Sequence, residues 1–303
     1  MSQFRNLVFE GGGIKGFAYL GAIEEIERRG ILAEIERFAG TSMGSVFAAL
    51  LACGADAGAL RAAMLGTPFL KFMDDSWGAI RDANRLITDY GWYKGEEIRS
   101  FVARETGCLL GKKNPTFSDL EKDLSVIALD LTAQEEIVFS NDRTPDVQIA
   151  DAVRASSGLP LFFQAMRYED HILVDGGVSH NFPIQIFDGD IPNPATLGFR
   201  VDTSSEIGET RDGARRSANI ESLPDYIKAF LGYLIDAANK RHLSEDDWHR
   251  TIFIDAGDVR ATDFDISTDR LERLIESGRA AVRAYFYWFD NTSEPKNKIA
   301  PPQ

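Results

Sequence analysis

Two glycine-rich turns, close together near the start of the chain, constrain its fold more than any other feature. The first follows the apolar run Leu7-Val8-Phe9 and reads Gly11-Gly12-Gly13-Ile14-Lys15-Gly16. Beyond it Phe17, Tyr19, Leu20, Ile23 and Ile26 recur at helical spacing until Gly30. The second follows a weaker strand pattern at 35–39 and reads Gly40-Thr41-Ser42-Met43-Gly44, with Val46, Phe47, Leu50 and Leu51 setting a helix that ends at Gly54. Strand, glycine turn and helix, repeated at once, predict a parallel or mixed sheet with helices on its faces.

The second turn carries chemistry as well as shape. Gly-x-Ser-x-Gly between a strand and a helix is the pattern of a nucleophile elbow, a tight turn that holds a serine hydroxyl above a sheet. Glycine at 40 and 44 leaves out side chains where a strained turn has no room for them. A helix starting at Met43 favours negative charge developing beside Ser42. The plainer reading is that Ser42 only caps that helix. The first turn also fits the dinucleotide fingerprint Gly-x-Gly-x-x-Gly, which requires an acidic residue at the end of the second strand. Glu34 and Glu36 fall before or within that strand, and the strand itself runs into the serine turn. The phosphate-loop pattern fails, because Phe17 stands where it needs lysine.

Far downstream, Asp175-Gly176-Gly177 follows the short strand pattern 172–174. It reads either as a hairpin turn or as an acid presented at the active edge of an α/β sheet. The histidines are His171, His180, His242 and His249. His242 and His249 lie in a highly charged stretch, and His180 is too near Asp175 in sequence to be its obvious partner. A dyad of Ser42 and Asp175 is therefore favoured over a triad, with backbone N–H groups of Gly11, Gly12 and Gly13 to hold an oxyanion.

Composition excludes several classes of function. With 33 basic against 47 acidic residues the formal net charge is −14, a poor basis for gripping a polyanion, so nucleic acid is not expected as a partner. The same charge repels an anionic membrane only within a screening length of about 8 Å, so peripheral contact through an apolar face stays open. Cys53 and Cys108 are far apart, without zinc-like spacing, and no metal or other cofactor is implied. No run reaches the ~20 apolar residues of a membrane span, and the apolar run at 7–9 is too short for a signal peptide. The expectation is a cytoplasmic protein, with export lacking a cleaved signal left open. Further strands are expected at 124–131, 136–139, 196–201 and 251–254, and helices at 223–238 and 269–289. A helical, aromatic-rich cap is expected at about 61–107, a polar loop at 204–221 and a disordered tail at about 291–303, all within one domain spanning 1–303.

Taken in order, Gly11 to Gly16, Gly40 to Gly44 and Asp175 to Gly177 resemble the oxyanion loop, nucleophile elbow and base motif of the patatin-like phospholipase family. Ala155-Ser156-Ser157-Gly158-Leu159-Pro160 and, after the aspartate, Asn181 and Pro183 fit the same pattern, so the resemblance runs from Leu7 to Pro183. It implies a three-layer α/β/α fold with a central, mostly parallel sheet. It also implies acyl hydrolysis of a phospholipid or other lipid ester by a Ser-Asp dyad, without histidine or metal. Leu159, Pro160, Phe162 and Phe163 are the expected acyl-chain wall. An acyltransferase using the same acyl-enzyme, or a lipid-binding effector module without turnover, are the alternatives.

Overall fold

The structure is a computed structural model that describes residues 3–67, 88–202, 220–239, 244–263 and 265–291. Phe69, Phe72 and Trp77 of the expected cap lie outside the described residues, as do His242, most of the polar loop and the tail beyond Asn291. The strands are β1 (Asn6–Phe9), β2 (Arg37–Thr41), β3 (Gly91–Tyr93), β4 (Asp123–Asp130), β5 (Glu135–Ser140), β6 (Leu161–Phe163), β7 (Met166–Tyr168), β8 (His171–Asp175), β9 (Thr196–Asp202) and β10 (Thr251–Asp255). The helices are α1 (Ala18–Arg28), α2 (Met43–Ala52), α3 (Ala57–Gly66), α4 (Glu96–Leu110), α5 (Ile149–Ser156), α6 (Leu223–Asn239), α7 (Glu245–His249) and α8 (Thr268–Asn291).

The expected architecture is present: a central, mostly parallel sheet flanked by helices. Its order is β10-β9-β1-β2-β4-β8-β7, with β5 also paired to β4. The strands from β10 to β4 run parallel, and β5, β7 and β8 are antiparallel to their neighbours. The central strand β1 is buried throughout, as a strand covered on both faces must be. Leu7 and Phe9 join the main core with residues of α1, α2 and α8, whereas Val8 meets Ala39, Phe182 and Ile184 on the opposite side. Phe9 stacks on Phe199 at 5.1 Å and meets the edge of Tyr19 at 5.3 Å, which in turn meets Phe47. These rings tie β1, β9, α1 and α2 together directly below the first glycine turn.

The stretch 88–107 corrects the expectation of a helical cap. Gly91–Tyr93 is a strand that pairs with Leu161–Phe163, and Tyr93 packs on Phe162. Aromatic residues suit a strand as well as a helix, and here the pairing partner, some seventy residues away, decides the matter. Glu96–Leu110 is helical as expected.

One pairing detail places the site. Along one edge of β4 runs β5; the other edge is shared by two strands approaching from opposite directions. β2 runs parallel to β4 and ends with Thr41 opposite Ile127, and β8 runs antiparallel and ends with Asp175 opposite Ala128. The C-terminal ends of the two strands thus meet head to head across one step of β4, bringing residues 42 and 175 together.

Candidate active site

Ser42 stands at the turn between β2 and α2 with φ 52° and ψ −127°, a backbone geometry that costs a non-glycine residue about 1–3 kcal/mol. The surroundings hold it there. The Ser42 N–H donates to Ser156 Oγ at 2.9 Å, and Ser156 Oγ donates to the Ile127 carbonyl at 2.5 Å, so the turn is anchored to β4. The Ser42 carbonyl accepts from the Ser45 N–H and hydroxyl at 2.9 and 2.6 Å. A Cβ at Gly40 would collide with the Gly44 carbonyl, and one at Gly44 would come within 2.5 Å of the Phe9 carbonyl oxygen. Ser42 makes no capping bond with its side chain. Its hydroxyl donates instead to Asp175 Oδ2 at 2.7 Å, which sets aside the capping reading.

Asp175 is fully buried, and its other oxygen, Oδ1, accepts from the Gly177 N–H at 2.7 Å. Burial pushes its carboxyl up to about 7, against the opposing pull of the Ser42 and Gly177 hydrogen bonds. The residues after it form a short 3-10 turn, Gly176–Val178, and not a hairpin. A side chain at 176 would press on the Ile127 carbonyl at 2.6 Å. No imidazole joins the pair among the described residues. His171 bonds Asp130 at 2.5 Å, His180 meets Glu136 at 3.2 Å, and His249 stacks on Trp288.

The first glycine turn lies alongside. A Cβ on Gly11 would sit 3.1 Å from Ser42 Cβ. The expected trio of N–H donors needs one correction: the Gly11 N–H is already given to the Asn181 carbonyl at 2.9 Å, so it is not available to an oxyanion. Among the described residues the N–H groups of Gly12 and Gly13 have no such partner, while Ile14 donates to the Ala261 carbonyl and Lys15 to that of Gly12. Gly13 has φ +52°, and a Cβ there would collide with the Ala261 carbonyl oxygen; at Gly12 the nearest atom would be 3.6 Å away. Glu34 bonds Arg5 at 2.9 Å from a turn that precedes β2, so the acid a dinucleotide ribose needs at the end of that strand is missing.

Three residues were not predicted as parts of the site. Ser156 holds the Ser42 turn, as described. Asn181 clamps Gly11 from both sides, its Nδ2 donating to the Gly11 carbonyl at 2.8 Å while its own carbonyl accepts the Gly11 N–H. Glu10, buried directly before the glycine turn, accepts the Val201 N–H at 2.8 Å. Burial pushes its carboxyl well above the usual carboxylate range, with Arg200 foremost and Lys15 further down among the charges that oppose the rise. Lys15 therefore stands beside an acid. The short polar side chains at 156 and 181 give no periodic signal; their only mark is that Ala155 to Pro160 and Asn181 fit the family pattern on either side of the aspartate motif.

Of the expected acyl wall, Leu159 and Pro160 follow Gly158, whose carbonyl accepts the Asp175 N–H at 2.9 Å. Phe162 and Phe163 are buried against Tyr93 and each other, within the main core. Among the described residues no group of His, Cys, Asp and Glu side chains is arranged to hold a metal ion, and no helix is long and apolar enough to cross a membrane.

The Asn181 clamp can be tested by substitution. Asn181→Ala leaves the buried Gly11 carbonyl unpaired, and the expected cost is about 1–3 kcal/mol, read as a lower urea midpoint with an unchanged slope. Turnover should fall as well, because the glycine turn loses one of its two ties to the aspartate loop.

Known proteins resemble this chain in sequence and in fold. A family model described as patatin-like phospholipase matches residues 7–188. YqhO of Bacillus subtilis (strain 168) is 32% identical over 296 residues, covering 92% of this chain and 96% of its own. The probable lipid hydrolase 463L of Invertebrate iridescent virus 6 is 27% identical over 60% of this chain and 63% of its own. Among solved structures, VipD from Legionella pneumophila superposes with a TM-score of 0.60 at 16% identity, covering 94% of this chain and 67% of that one, a likeness of fold.

Proposed function

This chain belongs to the patatin-like phospholipase family, and from that premise we propose that it is a lipid acyl hydrolase in which Ser42 is the nucleophile and Asp175 the base. The observation that carries the reading is the 2.7 Å hydrogen bond from the Ser42 hydroxyl to a buried carboxylate, at a strained turn where no imidazole among the described residues joins the pair.

In the first half-reaction Asp175 takes the hydroxyl proton as Ser42 Oγ attacks the ester carbonyl. The N–H groups of Gly12 and Gly13 hold the oxyanion, and the positive end of α2 stabilises the same charge. Collapse breaks the ester bond; the leaving alcohol departs with the proton from Asp175, and the acyl group stays on Ser42. In the second half-reaction water gives its proton to Asp175, attacks the acyl-enzyme and releases the fatty acid, and the proton returns to Ser42. Leu159 and Pro160, beside Asp175, are the proposed start of the acyl wall. Phe162 and Phe163 back that wall from the core.

Incubation with a mixed phospholipid extract, followed by mass spectrometry, tests the reaction class. Free fatty acids and lysolipids in equal amounts are expected, and the absence of both would refute a phospholipase A-type activity. The oxyanion assignment makes a finer prediction. Gly13→Ala, blocked by its positive φ and by the Ala261 carbonyl, should lower kcat on a soluble ester by about 10²–10³, the scale of one lost donor. Gly12→Ala has room for its methyl group and should stay within about tenfold of the parent. Equal losses in the two variants would remove Gly13 from its proposed role.

A further inference from the structure

Helix α6 carries more apolar surface than the body of the protein covers. Ile227 is buried, but Leu223, Tyr226, Phe230 and Tyr233, spaced three and four residues apart, form one stripe on the solvent side. Tyr233 is 72% exposed and Tyr226 54%. The rings of Tyr226 and Phe230 stack in parallel planes with centroids 6.3 Å apart, making a flat aromatic plate, and Ile220 extends the exposed apolar surface before the helix. The helix rests on the Gly176–Val178 turn that follows Asp175 and on strand β6, so the element carrying the stripe packs beside the candidate active site.

We propose that this face of α6 docks the protein on a lipid surface, an inference that rests on the lipid-hydrolase reading above. Three observations select this occupant. The helix that carries the stripe packs on the turn following Asp175, the residue a lipid ester must reach. It pairs tyrosines, which favour headgroup depth, with leucine, isoleucine and phenylalanine, which favour the acyl boundary. The helix sequence carries two acids and one lysine in a chain of net charge −14, so attachment is by apolar insertion and not by attraction to anionic headgroups. Docking of this kind resists salt and needs no anionic lipid.

The test uses the full chain with vesicles of ether-linked phosphatidylcholine, which cannot be hydrolysed at an ester. Cosedimentation is expected in both 0.1 M and 1 M NaCl. The variant Tyr226→Ser/Phe230→Ser/Tyr233→Ser should lose at least about tenfold in vesicle affinity, the order expected for removing apolar area from an interface. It should lose a similar factor in hydrolysis of diacyl phosphatidylcholine vesicles, yet keep the parent's turnover on a soluble short-chain ester. Tyr233→Ser alone, at the most exposed position, should give a smaller loss in the same direction. Unchanged binding and vesicle hydrolysis in the triple variant would overturn the proposal, as would binding that vanishes in 1 M salt. So would a parent that sediments as a dimer dispersed by the substitutions, since the face would then join two copies. A parent that binds vesicles through this face but hydrolyses neither ester would sink the hydrolase reading while leaving the docking surface standing.

Discussion

The Ser42→Ala protein is expected to release fatty acid at least about 10⁴-fold more slowly than the parent, the scale on which loss of a serine nucleophile is felt. No other described hydroxyl bonds Asp175, so no neighbour stands ready to replace it. The fold should survive. The substitution removes one hydrogen bond and leaves the strained turn held by Ser156 and Ser45, so the melting temperature should fall by no more than about 4 °C. A variant that keeps normal turnover would refute the assignment of the nucleophile. One that melts far below the parent would show that the hydroxyl serves the fold.

Asp175→Asn should be nearly as inactive and, at pH 8, more stable than the parent. The sign follows from the direction of the shift. Burial raises the folded-state carboxyl to about 7 from an ordinary value of 3.8, so the native state binds the proton more tightly than the unfolded chain does. The stability contributed by this group is full below pH 3.8 and is lost as pH rises through about 7. At pH 8 the parent therefore carries a buried charge that asparagine does not, and the ceiling on the gain is about 4 kcal/mol. Below pH 4 the difference should shrink towards zero. Activity runs the other way: the base must be ionised, so kcat/KM of the parent should rise with pH through about 7. Urea titrations of both proteins at pH 4 and pH 8 read the stability, and the pH profile on a soluble ester reads the base. Alanine at His171, His180 or His249 should leave that profile in place; a thousandfold loss at any of them, with the fold intact, would replace the dyad by a triad.

What was legible in the sequence is what local geometry enforces. The turns at 11–16 and 40–44 could be read because glycine stands where a Cβ would strike backbone atoms, and because the apolar period changes from strand to helix across each turn. The strands expected at 124–131, 136–139, 172–174, 196–201 and 251–254 fall within about a residue of β4, β5, β8, β9 and β10, whereas β6 and β7, three residues each, are too short to show a period. The meeting of β2 and β8 on one edge of β4 was not readable. It depends on β4 pairing with two separate segments, one some eighty residues before it and one more than forty after, which leaves no trace in local patterning. That the Gly11 N–H is spent is not legible locally, because its acceptor, the Asn181 carbonyl, arrives from the far end of the family-like region. The aromatics of Gly91–Tyr93 carry no local mark of a strand, because their partner β6 is remote.

Fluorophosphonate labelling followed by peptide mass mapping tests the central claim most directly, because it reads both the nucleophile and its base without assuming a substrate. The adduct is expected on the peptide carrying Ser42 and on no other. Its rate of formation should rise with pH through about 7 and fall by orders of magnitude in Asp175→Asn. Labelling of a different serine, or an undiminished rate in Asp175→Asn, would contradict the assignment of Ser42 and Asp175 as the reacting pair.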